Sequence, residues 1–222
     1  MKVTLIKHTP EPEQTVAAAA RLCYSPDQVE ELLEQMTPKR IQKLLNTLVE
    51  QQHFSPFEHA SFTFGISGVS RSLSHQLVRH RIASYSQQSQ RYVAFDAVPL
   101  VVPPSISSDP AALEVFEQAM QTVRHAYRQL LDKVPAEDAR YVLPNACQTN
   151  LVVTMNARSL YNFFHLRCCN RAQWEIRELA WRMLALVRQV APTLFKNAGP
   201  GCWGEGGCQE GAMSCGEPPE RL

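Results

Sequence analysis

The stretch Arg79-His80-Arg81-Ile82-Ala83-Ser84-Tyr85-Ser86-Gln87-Gln88-Ser89-Gln90-Arg91 decides how the rest of the chain is read. Arginine presents a planar fork of donors that matches phosphate oxygens two at a time and keeps its charge at physiological pH. From His59 to Phe95 there is no Asp or Glu, yet Arg71, Arg79, Arg81 and Arg91 all fall in that window. The expectation is a set of cations without a local carboxylate, reserved for an anionic ligand. A solvated basic patch is the plainer alternative, because charge clusters mark sites only probabilistically. The neutral donors and acceptors of Ser84, Ser86, Gln87, Gln88, Ser89 and Gln90 favour a ligand that carries sugar or base as well as phosphate.

The chain as a whole restricts the choice further. Its 222 residues can bury a core without disulfides or metal, and one domain over 1–195 with a Gly- and Cys-rich tail over 196–222 is expected. The formal net charge is only +1, so the basic stretch is a local site on a nearly neutral protein, which argues against a general nucleic-acid binder. No apolar run approaches the roughly twenty residues that cross a bilayer, and Met1 to His8 lacks the apolar core of a signal peptide, so a cytoplasmic protein is expected. The cysteines number seven, an odd count, and include the adjacent pair Cys168 and Cys169, which suits a reducing compartment better than a disulfide framework.

Working outward from the arginines, Ser70 can cap a helix running to Val78, with Leu73 and Leu77 as its packing stripe and Gln76 and Arg79 on one surface. Before it, Ser61 to Ser67 alternates Phe62, Phe64 and Ile66 with small or polar residues, a strand that Gly68 should end. Lys2 to Lys7 reads as a first strand, Ala17 to Cys23 as a helix, and Ile41, Leu44, Leu45, Leu48 and Val49 as an amphipathic helix begun at Pro38. His53 to His59 breaks that pattern. After the arginines, Tyr92 to Val102 has strand-like content cut by Pro99. A long helix beyond Pro110 shows Phe116, Met120, Val123, Tyr127 and Leu130 on one face. A short helix over Ala136 to Tyr141 and a strand carrying Leu151, Val153 and Met155 follow.

Two later helices carry unusual placements. In the helix from Ala157, the residues Leu160, Phe163, Phe164 and Arg167 share one face, so a cation ends a buried stripe. It either snorkels to solvent or is aimed into a pocket. The helix over about Ala172 to Val190 has one face of Ile176, Leu179, Ala180, Met183, Val187 and Val190 and another bearing Trp174 and Trp181, which fits burial on both sides, at a subunit interface or inside one core. From Asn197 the chain is rich in Gly and Pro with Cys202, Cys208 and Cys215, and a poorly ordered tail is the default expectation. Zinc would need a fourth ligand and closer pairs than these three offer.

Arg79-His80-Arg81, then seven residues, then Ser89, one residue and Arg91 resembles the signature of the flavin-dependent thymidylate synthases. Pro56-Phe57-Glu58-His59, Asn156-Ala157-Arg158-Ser159-Leu160 with Asn162, and Arg167 followed by Ala172-Gln173-Trp174-Glu175 are similar in order and spacing. The likeness spans Val3 to about Val190. It implies an α+β fold with a central mixed or antiparallel sheet flanked by helices, and a homotetramer with active sites at subunit contacts. It implies synthesis of dTMP from dUMP, with methylenetetrahydrofolate as carbon donor, FAD reduced by NADPH as hydride carrier, and tetrahydrofolate as product.

By the same resemblance, FAD contacts His53, Ser55, Arg79, His80, Arg81, Gln87, Asn156, Arg158 and Asn162. The dUMP contacts are Gln76, Arg79, Gln87, Ser89, Arg91, Arg140 and Arg167, with Arg167 as the catalytic residue, since a guanidinium near the uracil would stabilise charge developing on the ring. The commonest form of the motif has Asn-Glu where Ser86 and Gln87 stand here, so position 87 can bind but cannot serve as a base. Ser89 is read as a substrate contact, lacking an oriented base. His53, His59, His75 and His165 lack the carboxylate-histidine spacing of a metal site, and no metal is expected. Rival readings are an RNA-binding module using Tyr85, Tyr92 and Phe95 as stacking platforms, and a metal-dependent nucleotide phosphohydrolase, for which the basic window has no carboxylates.

Overall fold

A computed structural model describes residues 1–93, 99–204 and 206–220. In chain order these form β1 (Lys2–His8), α1 (Pro12–Leu22), α2 (Val29–Glu34), α3 (Pro38–Glu50), β2 (Ser61–Ser70), α4 (Arg71–Leu77), β3 (Ser84–Gln87), α5 (Pro104–Ser107), α6 (Pro110–Leu131), α7 (Ala136–Ala139), β4 (Gln148–Asn156), α8 (Ala157–Arg167) and α9 (Trp174–Val190). The strands make one antiparallel sheet in the order β1-β2-β4-β3, and the fold is α+β. The inward faces of the two central strands are the expected ones: Phe62, Phe64 and Ile66 on β2 and Leu151, Val153 and Met155 on β4 are buried. On the other face Thr63 and Thr154 share a hydroxyl hydrogen bond at 2.9 Å.

The chain divides into two compact units, one of Met1–Lys2, Ile66–Arg79 and Ser86–Val152, the other of Val3–Gly65, His80–Tyr85 and Val153–Leu222. The core of the first includes Tyr127 from α6, Ala139 from α7 and Cys147, flanked by Leu100, Val123, Leu130, Leu131, Val142 and Leu143. The core of the second is aromatic. Phe62, Phe164 and Tyr161 each lie against Phe195, with ring centroids 5.3, 6.1 and 5.8 Å away, and Phe54 and Phe57 close on Tyr161 at 5.0 and 5.6 Å. Edge-to-face and offset pairs of this kind add to the burial each ring brings.

Several boundaries differ from the sequence reading. Strand β2 does not stop at Gly68 but passes through it at φ 70°, and the Gly68 N–H donates to Asn150 Oδ1 at 3.2 Å. A left-handed residue inside a strand is the use to which glycine is suited. Helix α1 begins at Pro12, five residues before the expected Ala17, because proline's fixed φ starts a helix and Val16, Ala17 and Ala20 supply the buried stripe. Helix α7 stops at Ala139 and a 3₁₀ turn, Arg140–Val142, replaces the rest. Of the strand content placed at Tyr92 to Val102, Leu100 forms an antiparallel bridge with Cys147, while residues 94–98, Phe95 among them, lie outside the described residues.

Trp181 on the second face of α9 is met by Trp203 of the same chain, with ring centroids 5.6 Å apart. The Arg188 guanidinium lies over the Trp203 ring at 5.9 Å and donates to the carbonyls of Phe195, Lys196 and Ala198. Ala198, Gly199 and Pro200 are buried by this packing. Among the described residues no helix is long and apolar enough to cross a membrane.

Candidate active site

In the first unit the site residues are gathered by α4 and by the ends of β3 and β4. Ser70 caps α4 by accepting the Leu73 N–H at 3.0 Å, which fixes where the helix begins and turns Ser74 inward. Ser74 Oγ donates to the Arg71 carbonyl at 2.9 Å. The Gln87 side-chain nitrogen donates to Ser74 Oγ at 3.0 Å and to Thr149 Oγ1 at 3.2 Å, and both hydroxyl residues are buried. Since the one hydroxyl proton of Ser74 is engaged by a carbonyl, that oxygen can only accept from position 87, so the amide nitrogen must face it. The Gln87 carbonyl oxygen has no hydrogen-bond partner among the described residues and is left as an acceptor. An ionised glutamate at this position would instead have to accept from these hydroxyls, so glutamine sets the opposite hydrogen-bond direction.

Around that amide, Ser89 Oγ accepts the Arg91 N–H at 3.1 Å and Gln76 Nε2 reaches the Ser72 carbonyl at 3.4 Å. Gln88 is held by Asn150 through a backbone and a side-chain bond, 2.9 and 3.1 Å. Arg79 is exposed just past α4. Arg91 departs from the expectation of uncompensated cations: it pairs with Glu137 of α7 at 2.9 Å, both side chains half exposed, with its guanidinium 5.6 Å from the Tyr92 ring. The carboxylate comes from elsewhere in the fold, where a local window of sequence cannot show it. Arg140 Nε donates to the Glu137 carbonyl at 3.0 Å. Arg71 is held below its ordinary pKa by burial first and by the Arg140 charge second. Two like charges kept near each other make Arg71 a candidate anion contact, one that the carboxylate-free window included but the contacts implied by the family resemblance did not.

In the second unit the centre is His80. Its ring meets the Phe163 edge at 4.9 Å, and its Nε2 accepts from Arg167 Nε at 3.1 Å. Burial, then the Arg167 charge, pushes its pKa down from 6.5 to about 4. The imidazole is therefore neutral, and because Nε2 accepts, its proton resides on Nδ1. Helix α8 places Arg167 here as its last residue, after the buried Leu160, Phe163 and Phe164, and Arg167 is half-buried, neither fully snorkelled nor fully enclosed. The Tyr85 hydroxyl donates to the His80 carbonyl at 2.8 Å and fixes the turn that carries Arg81, which is exposed.

The remaining residues of this set come from the two ends of helices. Asn156 caps α8 through Oδ1, which accepts the Ser159 N–H at 2.9 Å. Arg158 and Asn162, four apart, are both exposed on one face of α8, and Arg158 is paired with Glu58 of the 3₁₀ turn Ser55–His59. Ser55 opens that turn, and His53, exposed, closes α3 by donating its backbone N–H to the Leu48 carbonyl at 2.8 Å.

The family described as "Thymidylate synthase complementing protein" matches residues 4–193 of this chain. The chain is 58% identical to a flavin-dependent thymidylate synthase of Geobacter sulfurreducens over 99% of its own length and 96% of the relative's. It is 52% identical to the enzyme of that name from Clostridium tetani, covering 99% and 95% of the two chains. The one from Pyrococcus furiosus is 41% identical, with 95% and 90% covered. These relatives are enzymes, and the chain is an enzyme. It belongs to the family of flavin-dependent thymidylate synthases, which make dTMP.

Proposed function

We propose that this enzyme methylates dUMP reductively, taking the carbon from methylenetetrahydrofolate and the hydride from FAD that NADPH has reduced, with tetrahydrofolate as the second product. The observation that carries the reading is the Arg167–His80 pair, a half-buried guanidinium donating to the ring of a neutral histidine. The donor set of the second unit fits a flavin dinucleotide. Arg81 is exposed, and the exposed Arg158–Glu58 pair can exchange its carboxylate for a phosphate at little cost, since such pairs are worth about 1 kcal/mol or less. By family likeness, the residues that would hold the cofactor are His53, Ser55, His80, Arg81, Asn156, Arg158 and Asn162 of this unit, and Arg79 and Gln87 of the first. FAD supplies the hydride when bound.

The protein's own residues account for the rest. Gln76, Arg79, Ser89, Arg91 and Arg140 bind dUMP through its phosphate and sugar, and Arg71 adds charge next to Arg140. Gln87, its nitrogen occupied by Ser74 and Thr149, takes a donor from the nucleotide on its carbonyl oxygen. Arg167 stabilises negative charge that develops on the uracil during carbon–carbon bond formation, and neutral His80 accepts from its Nε without competing for that charge. Family likeness supports a homotetramer with active sites at subunit contacts and a cytoplasmic location.

The test is direct. The purified enzyme should be yellow, with oxidised-flavin absorption in the blue, and should convert dUMP to dTMP only when methylenetetrahydrofolate and NADPH are both present. A colourless preparation that ignores added FAD, or dTMP formation that proceeds without the folate, would overturn the reading.

A further inference from the structure

The cysteines are the part of the chain that the activity leaves unused. The adjacent pair after α8 is split by the fold: Cys168 is fully buried, its thiol pushed up to about 12 by desolvation, whereas Cys169 turns outward. Cys169 lines a cleft of about 490 Å³, and Cys202, Cys208 and Cys215 line the same cleft, with Arg167 and Arg171 of the second unit also on its wall. The fourth thiol that the spacing of the C-terminal cysteines lacked therefore comes from the end of a helix more than thirty residues earlier. All are free thiols.

We propose that Cys169, Cys202, Cys208 and Cys215 are the ligands of one thiophilic divalent cation of the zinc class, which ties the C-terminal segment to the end of α8. Four thiolates from short loops match the closed, tetrahedral coordination of a structural zinc ion. Binding is a plain exchange: each S–H gives its proton to solvent as a sulfur–metal bond forms, and no electron is transferred. Among the described residues no three metal-ligating side chains are already grouped to hold an ion, and binding requires the four thiols to draw together across the cleft they line.

Glycines with positive φ flank two of the four thiols. Gly207, just before Cys208, and Gly216, just after Cys215, have φ of 67° and 73°, and a Cβ added to either would meet nothing within 4 Å. These glycines serve turns at the thiols and no packing role. Much of the anchoring beyond Trp203 is polar: Arg171 pairs with Glu210, Asn170 donates to the Glu217 carbonyl, and the Trp203 indole donates to the Pro219 carbonyl at 2.7 Å. Gly201 packs so closely on His165 of α8 that an added Cβ would stand 2.7 Å from its ring, which fixes the neighbouring Cys202 at the cleft. A segment with so little apolar surface gains its order from cross-links, and an ion shared by four thiolates is one.

The inference is independent of the proposed reaction and has its own readout. The full-length flavoprotein, purified under reducing conditions and supplied with zinc, should hold about one zinc per chain by elemental analysis, and zinc-edge X-ray absorption should report a first shell of sulfur alone. Cys202→Ser and Cys208→Ser should each reduce the zinc content at least tenfold, whereas Cys23→Ser, at the far end of α1, should leave it unchanged. Should a serine variant fail to fold, a chelator applied to the wild-type holoenzyme decides the matter: metal removal should speed proteolytic clipping after residue 200 while flavin stays bound. A fully reduced protein that takes up no zinc, a shell of nitrogen and oxygen, zinc retained by both variants, or iron with inorganic sulfide in place of zinc would overturn the proposal.

Discussion

The two units arrange their candidate ligand-binding groups in opposite ways. Around Gln87 the first unit uses neutral groups, each committed to one partner: Ser74 gives its proton to the Arg71 carbonyl, and the amide nitrogen of Gln87 is shared between Ser74 and Thr149. Around His80 the second unit places a cation against a ring kept neutral by burial, with the ring's lone pair as the acceptor. The first arrangement sets the polarity of one group before any ligand arrives. The second holds a half-buried positive charge at a fixed place, where it can act on a charge that develops nearby. On the proposed reading the one serves binding selectivity and the other rate acceleration, and substitutions should separate them.

The largest effect should come from Arg167→Ala, with flavin content intact and kcat for dTMP formation lowered about a hundredfold or more. Single-turnover assays on flavin-loaded enzyme check this. Loss of flavin with normal turnover by the remaining holoenzyme would remove the distinction between the units. Next comes the polarity of position 87. Thr149→Val and Ser74→Ala should each raise the KM for dUMP by about five- to tenfold with kcat little changed. In a double-mutant cycle with Gln87→Leu, their effects should fall well short of additive, as for groups acting through one amide. Additive losses, or a fall in kcat alone, would show that the hydroxyls do not act through Gln87.

The pH dependence of stability sharpens the other half. His80 has a folded pKa of about 4 against an ordinary 6.5, so between those values the unfolded chain binds a proton that the folded one refuses. Stability should be undiminished above pH 6.5 and decline as the pH falls toward 4. Thermal melts of wild type and His80→Asn across that range should converge as the pH is lowered, the variant lacking this part of the decline. The smallest effect should be at Arg91. Freeing it with Glu137→Gln should change the KM for dUMP by no more than about threefold, as expected for a half-exposed ion pair, whereas Arg91→Ala should weaken dUMP binding clearly.

Where the sequence was readable, periodicity was long and strong. Helices α3, α6 and α8 and the buried faces of β2 and β4 all follow apolar spacing over nine or more residues. Strand β3 was not legible because Ser84-Tyr85-Ser86-Gln87 has no apolar alternation; its pairing at the sheet edge forms it. The six-residue α2 and four-residue α5 are too short for a period to show. For the site, the order of arginine, histidine and glutamine along the chain identified the family, and Arg167 at the end of an apolar stripe was visible from spacing alone. Ser74 and Thr149 were invisible, since a serine in a helix and a threonine in a strand carry no mark of the amide they will meet.

The linear chain by itself determined which chemistry was available: a window of cations without local acids, a cation ending a hydrophobic face, an amide at position 87. These follow from residue type and from the two short periods of helix and strand. Tertiary structure alone decided how that chemistry was used. It supplied Glu137 to Arg91, withdrew the proton affinity of His80, turned one amide nitrogen onto two buried hydroxyls, and carried Cys169 to the cleft of three distant cysteines. The reason is range. Dihedral preferences and periodicity act over a few residues, whereas electrostatics, desolvation and hydrogen bonding depend on distance in space, which only the folded chain sets.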